Sequence, residues 1–276
     1  MDLLADRVIE LMRDPGAKER IRETAIDMAA RAFTSQGRLP LLQDFLELRD
    51  VPTPSARSVS APAVTSRAEL AQRLGATAFI GEDEIPVFAE YAGQAVGTLV
   101  EIGAGLGASA ALMLSNMPAS ARAFSIDPFV KDSMGELQAT AAQCRRNVWR
   151  ALAAAGKTAA YASWCLYVEP SHRAAHWWCE PIDFLYLDGD HRYEAVKRDF
   201  EDWSCHVRPG GVILLHDSRR EGNAAEDVFA RGWPGPTRVA EELRAKHECI
   251  ELVDEVFSLT VWRRTGRACT ACHNTQ

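Results

Sequence analysis

Acidic and histidine side chains follow two hydrophobic runs in the second half of the chain, at the points where those runs end. Asp188, Asp190 and His191 follow the first run, and His216 and Asp217 follow the second. Two carboxylates at the ends of neighbouring strands can share one hard cation through their oxygen atoms. The alternative is that these acids cap the segments that follow and orient a bound molecule without a metal.

A glycine-rich turn lies earlier in the chain, between a predicted apolar strand and a predicted helix. The segment VEIGAGLG at 100–107 lets the backbone turn sharply, and the helix behind it offers free N–H groups to a ligand. A dinucleotide-binding turn would have its third glycine at position 108, where Ala108 could substitute. S-adenosylmethionine enzymes instead have an acid two residues before the first glycine, which here is Glu101. In either case Asp127, at the end of the next strand, is the expected acceptor for ribose hydroxyls.

Taken together, the motifs resemble those of a class I S-adenosylmethionine-dependent methyltransferase. The subgroup most resembled is the small-molecule type with a DGDHxY strand end, akin to macrocin-type sugar O-methyltransferases and more distantly to catechol O-methyltransferase. The resemblance spans residues 98–263 and rests on VEIGAGLGAS at 100–109, SIDPF at 125–129, DFLYLDGDHRYEAVKRDF at 183–200, RPGGVILLHDS at 208–218 and LVDEVFSLTVWRR at 252–264.

This resemblance implies an α/β fold, a Rossmann-like seven-stranded methyltransferase sheet whose last strand is antiparallel. It also implies that S-adenosyl-L-methionine lies across the carboxyl ends of the central strands. There the glycine turn would hold the methionine part, and the loop after the third strand would frame the adenine. The cofactor-binding residues expected on this basis are Glu101, Gly103, Ala104, Gly105, Ser109, Asp127, Ser171, His172 and Asp188.

The same resemblance assigns roles to the acids and histidines. It implies a divalent metal, magnesium or manganese, held by Asp188 and Asp217 with His216 as a third ligand; a histidine ligand would favour manganese, iron or zinc over magnesium. His191 matches the position of the basic catalytic residue, and an imidazole with a pKa of about 6.5 can accept a proton at neutral pH. Asp188 is the second candidate base. Two observations leave alternatives open: His191 could merely cap the next helix, and Ser218 stands where catechol-type enzymes have Asn.

The elements that must position these residues can be predicted from apolar periodicity. Strands alternating with helices predict a parallel sheet covered on both faces, and the last two strands, which leave no room for a crossover, predict a hairpin. The predicted strands are Thr98–Ile102, Ala121–Ile126, Ala160–Leu166, Ile182–Leu187, Gly211–His216, Ile250–Val253 and Val256–Trp262. The predicted helices include one from Ser66 to Gly75, then Glu82–Val96, Ala108–Leu114, Met134–Ala155 and Tyr193–His206.

Four regions are predicted along the chain. Residues 1–50 form an N-terminal helical region that serves as a lid or in dimerisation, and the proline- and serine-rich stretch 51–66 is a linker. Residues 67–264 form the S-adenosylmethionine-binding methyltransferase domain, and residues 265–276 form a flexible tail. The tail contains Cys269, Cys272 and His273, whose metal half-site spacing we interpret as functionally silent. A homodimer is expected, because the N-terminal apolar stripes are too short to fold alone.

Composition limits the classes of partner. The 276 residues carry a net charge of -7, which argues against a nucleic-acid surface. No uninterrupted apolar stretch reaches the length of a membrane span, and no signal peptide is evident, so a cytoplasmic protein is expected. The cysteines in regular segments are expected to be buried thiols.

The functional prediction is metal-assisted O-methylation of a hydroxyl on a small natural product, with sugar-bearing products included. N-methylation of a small amine is the nearest alternative, because an amine needs less activation. A second alternative is a cofactor-binding accessory subunit of an oxygenase that lacks transfer chemistry.

Overall fold

The computed structural model describes residues 64, 66–130, 139–219, 232–246 and 249–267. The predictions for the N-terminal region 1–50, nearly all of the linker 51–66 and the cysteine-containing part of the tail lie outside these residues. The sequence also predicts that the loop Ser218–Pro236, which contains Trp233, contributes to the acceptor-binding surface, and residues 220–231 of this loop lie outside the described residues as well. No helix among the described residues is long and apolar enough to cross a bilayer.

A seven-stranded sheet forms the centre of the described structure, in the order β3-β2-β1-β4-β5-β7-β6. Strands β1 to β5 are parallel neighbours, whereas β7 runs antiparallel to both β5 and β6. The predicted Rossmann-like methyltransferase sheet with its reversed last strand is therefore confirmed. The strands are β1 Thr98–Ile102, β2 Arg122–Ile126, β3 Trp164–Tyr167, β4 Ile182–Leu187, β5 Val207–Leu215, β6 Ile250–Val256 and β7 Leu259–Arg264.

Helices cover both faces of the sheet, because β1, β4 and β5 are buried on both sides. One face packs against helices α1 to α4 and the other against α5 to α7, so the core has two layers. Numbered from the first described helix, these are α1 Arg67–Leu74, α2 Glu84–Gln94, α3 Ala108–Asn116, α4 Ala141–Ala154, α5 Ser171–Trp177, α6 Tyr193–Ser204 and α7 Pro234–Lys246.

The predicted ends of α1 are confirmed. Ser66 is extended (φ -144°) and its side chain accepts the Glu69 N–H, which satisfies one of the free donors of the first turn. Gly75 ends the helix in the left-handed region, at φ 66°. A Cβ there would lie 2.4 Å from the Arg150 guanidinium, so the glycine also lets α1 pack closely on α4.

Four strand predictions, those for β3, β5, β6 and β7, were wrong at an end by two or more residues. Strand β5 begins at Val207, four residues before the predicted Gly211. Residues Thr158–Ser163 form a 3₁₀-helix and β3 begins at Trp164, because this edge strand pairs with β2 over only four residues. The final hairpin turns about three residues later than predicted, at Phe257 and Ser258, with Phe257 at φ 49°. No glycine marks that turn, so the sequence offered no signal for its position.

The expectation of buried thiols was also wrong for part of the set. Cys144 and Cys249 are buried, whereas Cys205 is half-buried and Cys165 and Cys179 are exposed. Cys165 lies on β3, whose edge position leaves one side of the strand without a covering neighbour.

Candidate functional site

The glycine turn joins β1 to α3 at the carboxyl edge of the sheet, where open α/β sheets bind ligands. Gly103 has φ 91°, and a Cβ on it would lie 2.0 Å from the Asp188 carbonyl oxygen. The Asp188 N–H donates to the Ile102 carbonyl at 2.9 Å. The turn therefore lies directly against the end of β4, and the two predicted halves of the site meet at Asp188.

Asp127 ties this turn to the end of β2. Its Oδ2 accepts the N–H groups of Ala104 and Gly105, each at 2.9 Å, and its Oδ1 accepts the Phe129 N–H at 2.7 Å. The predicted ribose acceptor thus also holds the turn in shape, and the two amides that were predicted to meet the cofactor donate to it. The Oδ1, which accepts one of these three N–H groups, still has capacity for a further donor such as a ribose hydroxyl.

Glu101 lies beneath the turn and is fully buried. Its Oε1 accepts the Ser125 hydroxyl, whereas its Oε2 has no hydrogen-bond partner among the described residues. Burial raises the pKa of Glu101 to about 7, although the nearby hydroxyls of Ser109 and Ser125 oppose this shift. A ligand ammonium, such as that of a methionine group, is a suitable donor for the free oxygen. On this criterion the residues fit S-adenosylmethionine.

The acids and histidines that follow β4 and β5 come together as predicted. One potential ligand atom from each of Asp188, His191, His216 and Asp217 lies within 4.8 Å of the other three. The His216 Nδ1 is 2.9 Å from Asp188 Oδ1 and 3.6 Å from Asp217 Oδ2. The His191 Nε2 is 3.2 Å from Asp217 Oδ2 and 3.6 Å from Asp188 Oδ1. Two carboxylates and two imidazoles form a donor set that fits one divalent cation of mixed oxygen and nitrogen preference.

His191 was predicted as a base and not as a ligand, yet its Nε2 points into this cluster. Burial would lower the pKa of His191, but the hydrogen bond to Asp217 and the charge of Asp188 outweigh that effect and raise it. A cation shared by the two carboxylates would cancel their pull on the imidazole proton. The base role and the cation role of the cluster are therefore physically linked.

Two neighbours of the cluster stand outside it. Asp190 pairs with the exposed Arg192, whose Nε lies 2.8 Å from its Oδ2, so this acid of the DGD segment is not a ligand candidate. Ser218 is fully buried, and its hydroxyl donates to the Leu215 carbonyl and contacts Thr260 Oγ1. The residue that replaces the catechol-type Asn therefore has its hydroxyl engaged inside the fold.

Asp217 itself has a backbone conformation that is uncommon outside glycine, at φ 51°. Asp tolerates this region better than most residues, since its short side chain can bond locally. Burial opposes ionisation of Asp217, but His216 and His191 outweigh it and lower the pKa of the carboxyl.

Sequence reasoning missed two residues that contact the cluster. The Tyr186 hydroxyl donates to Asp188 Oδ2 at 3.2 Å, and Glu84 on α2 lies 3.0 Å from the His216 Nε2. Tyr186 lies two residues before Asp188 on β4, a spacing that could have indicated it. Glu84 is separated from His216 by 132 positions, and no sequence signal links the two.

Two further predicted segments differ in their relation to the cluster: Trp233 contacts it, whereas Ser171 contacts Asp199. The exposed Trp233 packs its ring on His191, with ring centroids 5.0 Å apart, and so forms one wall beside the acids. Ser171 and His172 begin α5, where the Ser171 hydroxyl donates to Asp199 Oδ1 at 2.5 Å. Their adenine contacts stay a prediction, as do the ligand and base roles above.

Comparison with known proteins agrees with this arrangement. Residues 100–218 match the family described as "Methyltransferase domain", a stretch that runs from β1 to the residue after Asp217. This stretch of the chain is therefore similar to a methyltransferase domain. The match includes the glycine turn, Asp127 and the whole acid and histidine cluster.

Solved structures are similar to this chain at low identity. Cofactor-bound Rv0187 from MTB is 16% identical with a TM-score of 0.50, over 81% of this chain and 95% of that one. The O-methyltransferase TomG from Streptomyces achromogenes, in complex with SAM, is 17% identical with a TM-score of 0.49, over 81% and 96%. MycE methyltransferase from the mycinamycin biosynthetic pathway, in complex with Mg, SAH and mycinamycin VI, is 18% identical with a TM-score of 0.46, over 76% and 57%.

One curated relative matches only a short segment of this chain. The uncharacterized protein y4gI of Sinorhizobium fredii is 46% identical over 37 residues, which is 13% of this chain and 4% of that protein. The matched segment thus spans a small fraction of the relative's length.

Proposed function

We propose that this protein transfers the methyl group of S-adenosylmethionine to a hydroxyl of a small, polar natural product, sugar-bearing products included, with the help of a divalent cation. The observation that carries the proposal is the contact at Asp188. Its backbone abuts the glycine turn, and its side chain belongs to the acid and histidine cluster. A methyl donor and an acceptor hydroxyl bound at these two places would be neighbours.

The chain's own residues supply alignment and proton transfer. When bound, S-adenosylmethionine supplies a methyl group on a good leaving group, and a cation at the cluster lowers the pKa of the acceptor hydroxyl. The glycine turn with Asp127 would fix the donor, and Asp188 and Asp217 would fix the acceptor oxygen in line with the methyl carbon. His191, or alternatively Asp188, would take the hydroxyl proton as the new C–O bond forms. Trp233 would cover His191 and limit the entry of water.

Calorimetric titration with S-adenosylmethionine and with S-adenosylhomocysteine tests the first half of this proposal. We expect both to bind, and failure of both would contradict it.

A cofactor with an isotopically labelled methyl group, incubated with the protein and a producer-cell extract, tests the second half of the proposal, which is methyl transfer to a hydroxyl. We expect a labelled product whose structure places the methyl on oxygen. A label on nitrogen would instead show an N-methyltransferase, and binding without transfer to any acceptor would favour an accessory role.

A further inference from the structure

Glu84 reaches the cluster from a distant part of the chain. It lies in the first turn of α2, is fully buried, and its Oε2 is 3.0 Å from the Nε2 of His216. A buried carboxylate is costly unless it is hydrogen-bonded, so its position requires a set of donors.

Those donors come from two separate turns. The Gly81 N–H donates to Oε2 at 2.7 Å, whereas the Ser258 N–H and hydroxyl donate to Oε1 at 3.0 and 2.6 Å. With three donors already aimed at it, the Glu84 carboxylate acts only as an acceptor toward His216. The hydrogen between the two side chains therefore belongs to the His216 Nε2.

This hydrogen bond determines whether the other ring nitrogen of His216, Nδ1, is available as a metal ligand. In a neutral imidazole with Nε2 protonated, the Nδ1 carries a lone pair. Nδ1 lies 2.9 and 3.6 Å from carboxylate oxygens of Asp188 and Asp217. With a cation bound between these groups, the Nδ1 lone pair would point at that cation. Three electron-rich atoms directed at one point suit a cation held between them. A carboxylate behind a ligating histidine is also the arrangement that orients metal-bound imidazoles.

We propose that Glu84 is a positioning residue, which fixes the Nε2–H tautomer of His216 so that Nδ1 joins Asp188 and Asp217 as a metal ligand. The resulting nitrogen donor makes the site prefer Mn²⁺ or a later first-row cation over Mg²⁺, because Mg²⁺ favours oxygen ligands. This inference rests on the cation site of the proposed function and defines its chemistry.

The first test measures the identity of the ligand in the full-length protein loaded with Mn²⁺. Pulsed electron paramagnetic resonance should show ¹⁴N coupling to the metal in the wild type and in His191→Gln, where His216 is the remaining imidazole of the cluster. The coupling should be lost in the double variant His191→Gln/His216→Asp. Titrations with Mn²⁺ and Mg²⁺ should show that His216→Asp reduces the ratio of the two affinities at least about tenfold. Absence of ¹⁴N coupling in the wild type, or an unchanged ratio in His216→Asp, would overturn the proposal.

The second test isolates Glu84. Glu84→Gln should weaken Mn²⁺ binding by about 10- to 100-fold, the usual effect of removing an outer-shell partner, and should reduce the ¹⁴N coupling. Ser258→Ala is the matched control, because it removes a donor from the same carboxylate and keeps the contact with His216. A purely structural role for Glu84 would affect both variants alike, and that result would refute the positioning role. If Glu84→Gln does not fold, the comparison with His216→Asp still decides the ligand.

Binding of S-adenosylhomocysteine, measured on the same samples, separates this inference from the proposed function. Cofactor binding without binding of any divalent cation would overturn the inference and leave methyl transfer in place. If the protein shows the expected ¹⁴N coupling and Mn²⁺ preference but does not bind S-adenosylhomocysteine, the inference is supported and methyl transfer is contradicted.

Discussion

Asp127 combines two tasks in one side chain, since it fastens the glycine turn and is the expected acceptor for ribose hydroxyls. Asp127→Ala should weaken binding of S-adenosylhomocysteine by about 1.5–3 kcal/mol, the scale for losing a hydrogen bond to a charged group. Titration calorimetry measures this loss. Asp190→Ala is the control, because that acid pairs with Arg192 and should leave the affinity unchanged.

A cofactor analogue without ribose hydroxyls separates the two tasks of Asp127. The wild type should bind this analogue more weakly than S-adenosylhomocysteine, whereas Asp127→Ala should bind the two almost equally. If the variant still discriminates between them as strongly as the wild type, the ribose contact belongs to another residue.

Glu101 should make the ligand-free protein less stable as the pH rises. Burial raises its pKa in the folded state to about 7, from an ordinary value of 4.5, so folding favours the protonated carboxyl. The loss in free energy of unfolding that this carboxyl causes is small near pH 5. It grows with pH until the pH exceeds the pKa of Glu101 in the folded state. Glu101→Gln cannot ionise, so its stability relative to the wild type should increase by about 2 kcal/mol between pH 5 and pH 8.

Urea unfolding of both proteins at the two pH values measures this difference. Saturating S-adenosylmethionine should reduce it, because the cofactor's ammonium would favour the ionised carboxylate. Parallel stability profiles for the two proteins would mean that Glu101 does not titrate in this range.

At the scale of elements, two glycines in the same turn should respond very differently to an added methyl group. A Cβ on Gly103 would meet the Asp188 carbonyl at 2.0 Å, so Gly103→Ala must push β1 and β4 apart. A Cβ on Gly105 meets nothing within 4 Å, and its cost is the strain of φ 47° alone. We expect a loss of at least about 3 kcal/mol for Gly103→Ala and about 1–2 kcal/mol for Gly105→Ala.

Denaturant unfolding checks the order of these two values. Gly105→Ala should fold and yet bind S-adenosylhomocysteine more weakly, because its methyl group occupies space beside the turn. Equal stability of the two variants would contradict the close packing of the turn on β4.

At the scale of the whole molecule, the glycine turn and the acid and histidine cluster are adjacent but use different side chains. Asp127 and Glu101 serve the turn, whereas Asp217 and His216 serve the cluster. A chelator should therefore abolish methyl transfer while cofactor binding stays mostly intact, and added Mn²⁺ should restore turnover. Full activity in excess chelator would remove the cation from the mechanism.

Much of this organisation was predictable from the sequence, because local patterns fix local structure. Alternation of apolar runs gave the strands that carry Glu101, Asp127, Asp188 and Asp217, and parallel strands present their carboxyl ends at one edge. The N-cap Ser66 and the C-cap Gly75 of α1 could also be predicted from the sequence, since capping depends on neighbours a few residues away. The edge strand β3 and the turn at Phe257 were misplaced, because pairing partners decide where such strands end.

Only the tertiary structure decided how the site is supported. The contact between Glu84 and His216 joins residues 132 positions apart, and it exists because α2 and the β6–β7 turn pack around the same carboxylate. The direction of the Ser218 hydroxyl and the entry of the His191 Nε2 into the cluster likewise depend on packing across elements. Residue types and spacing determined which chemistry was available, whereas long-range packing in a low-dielectric interior decided which atoms face each other.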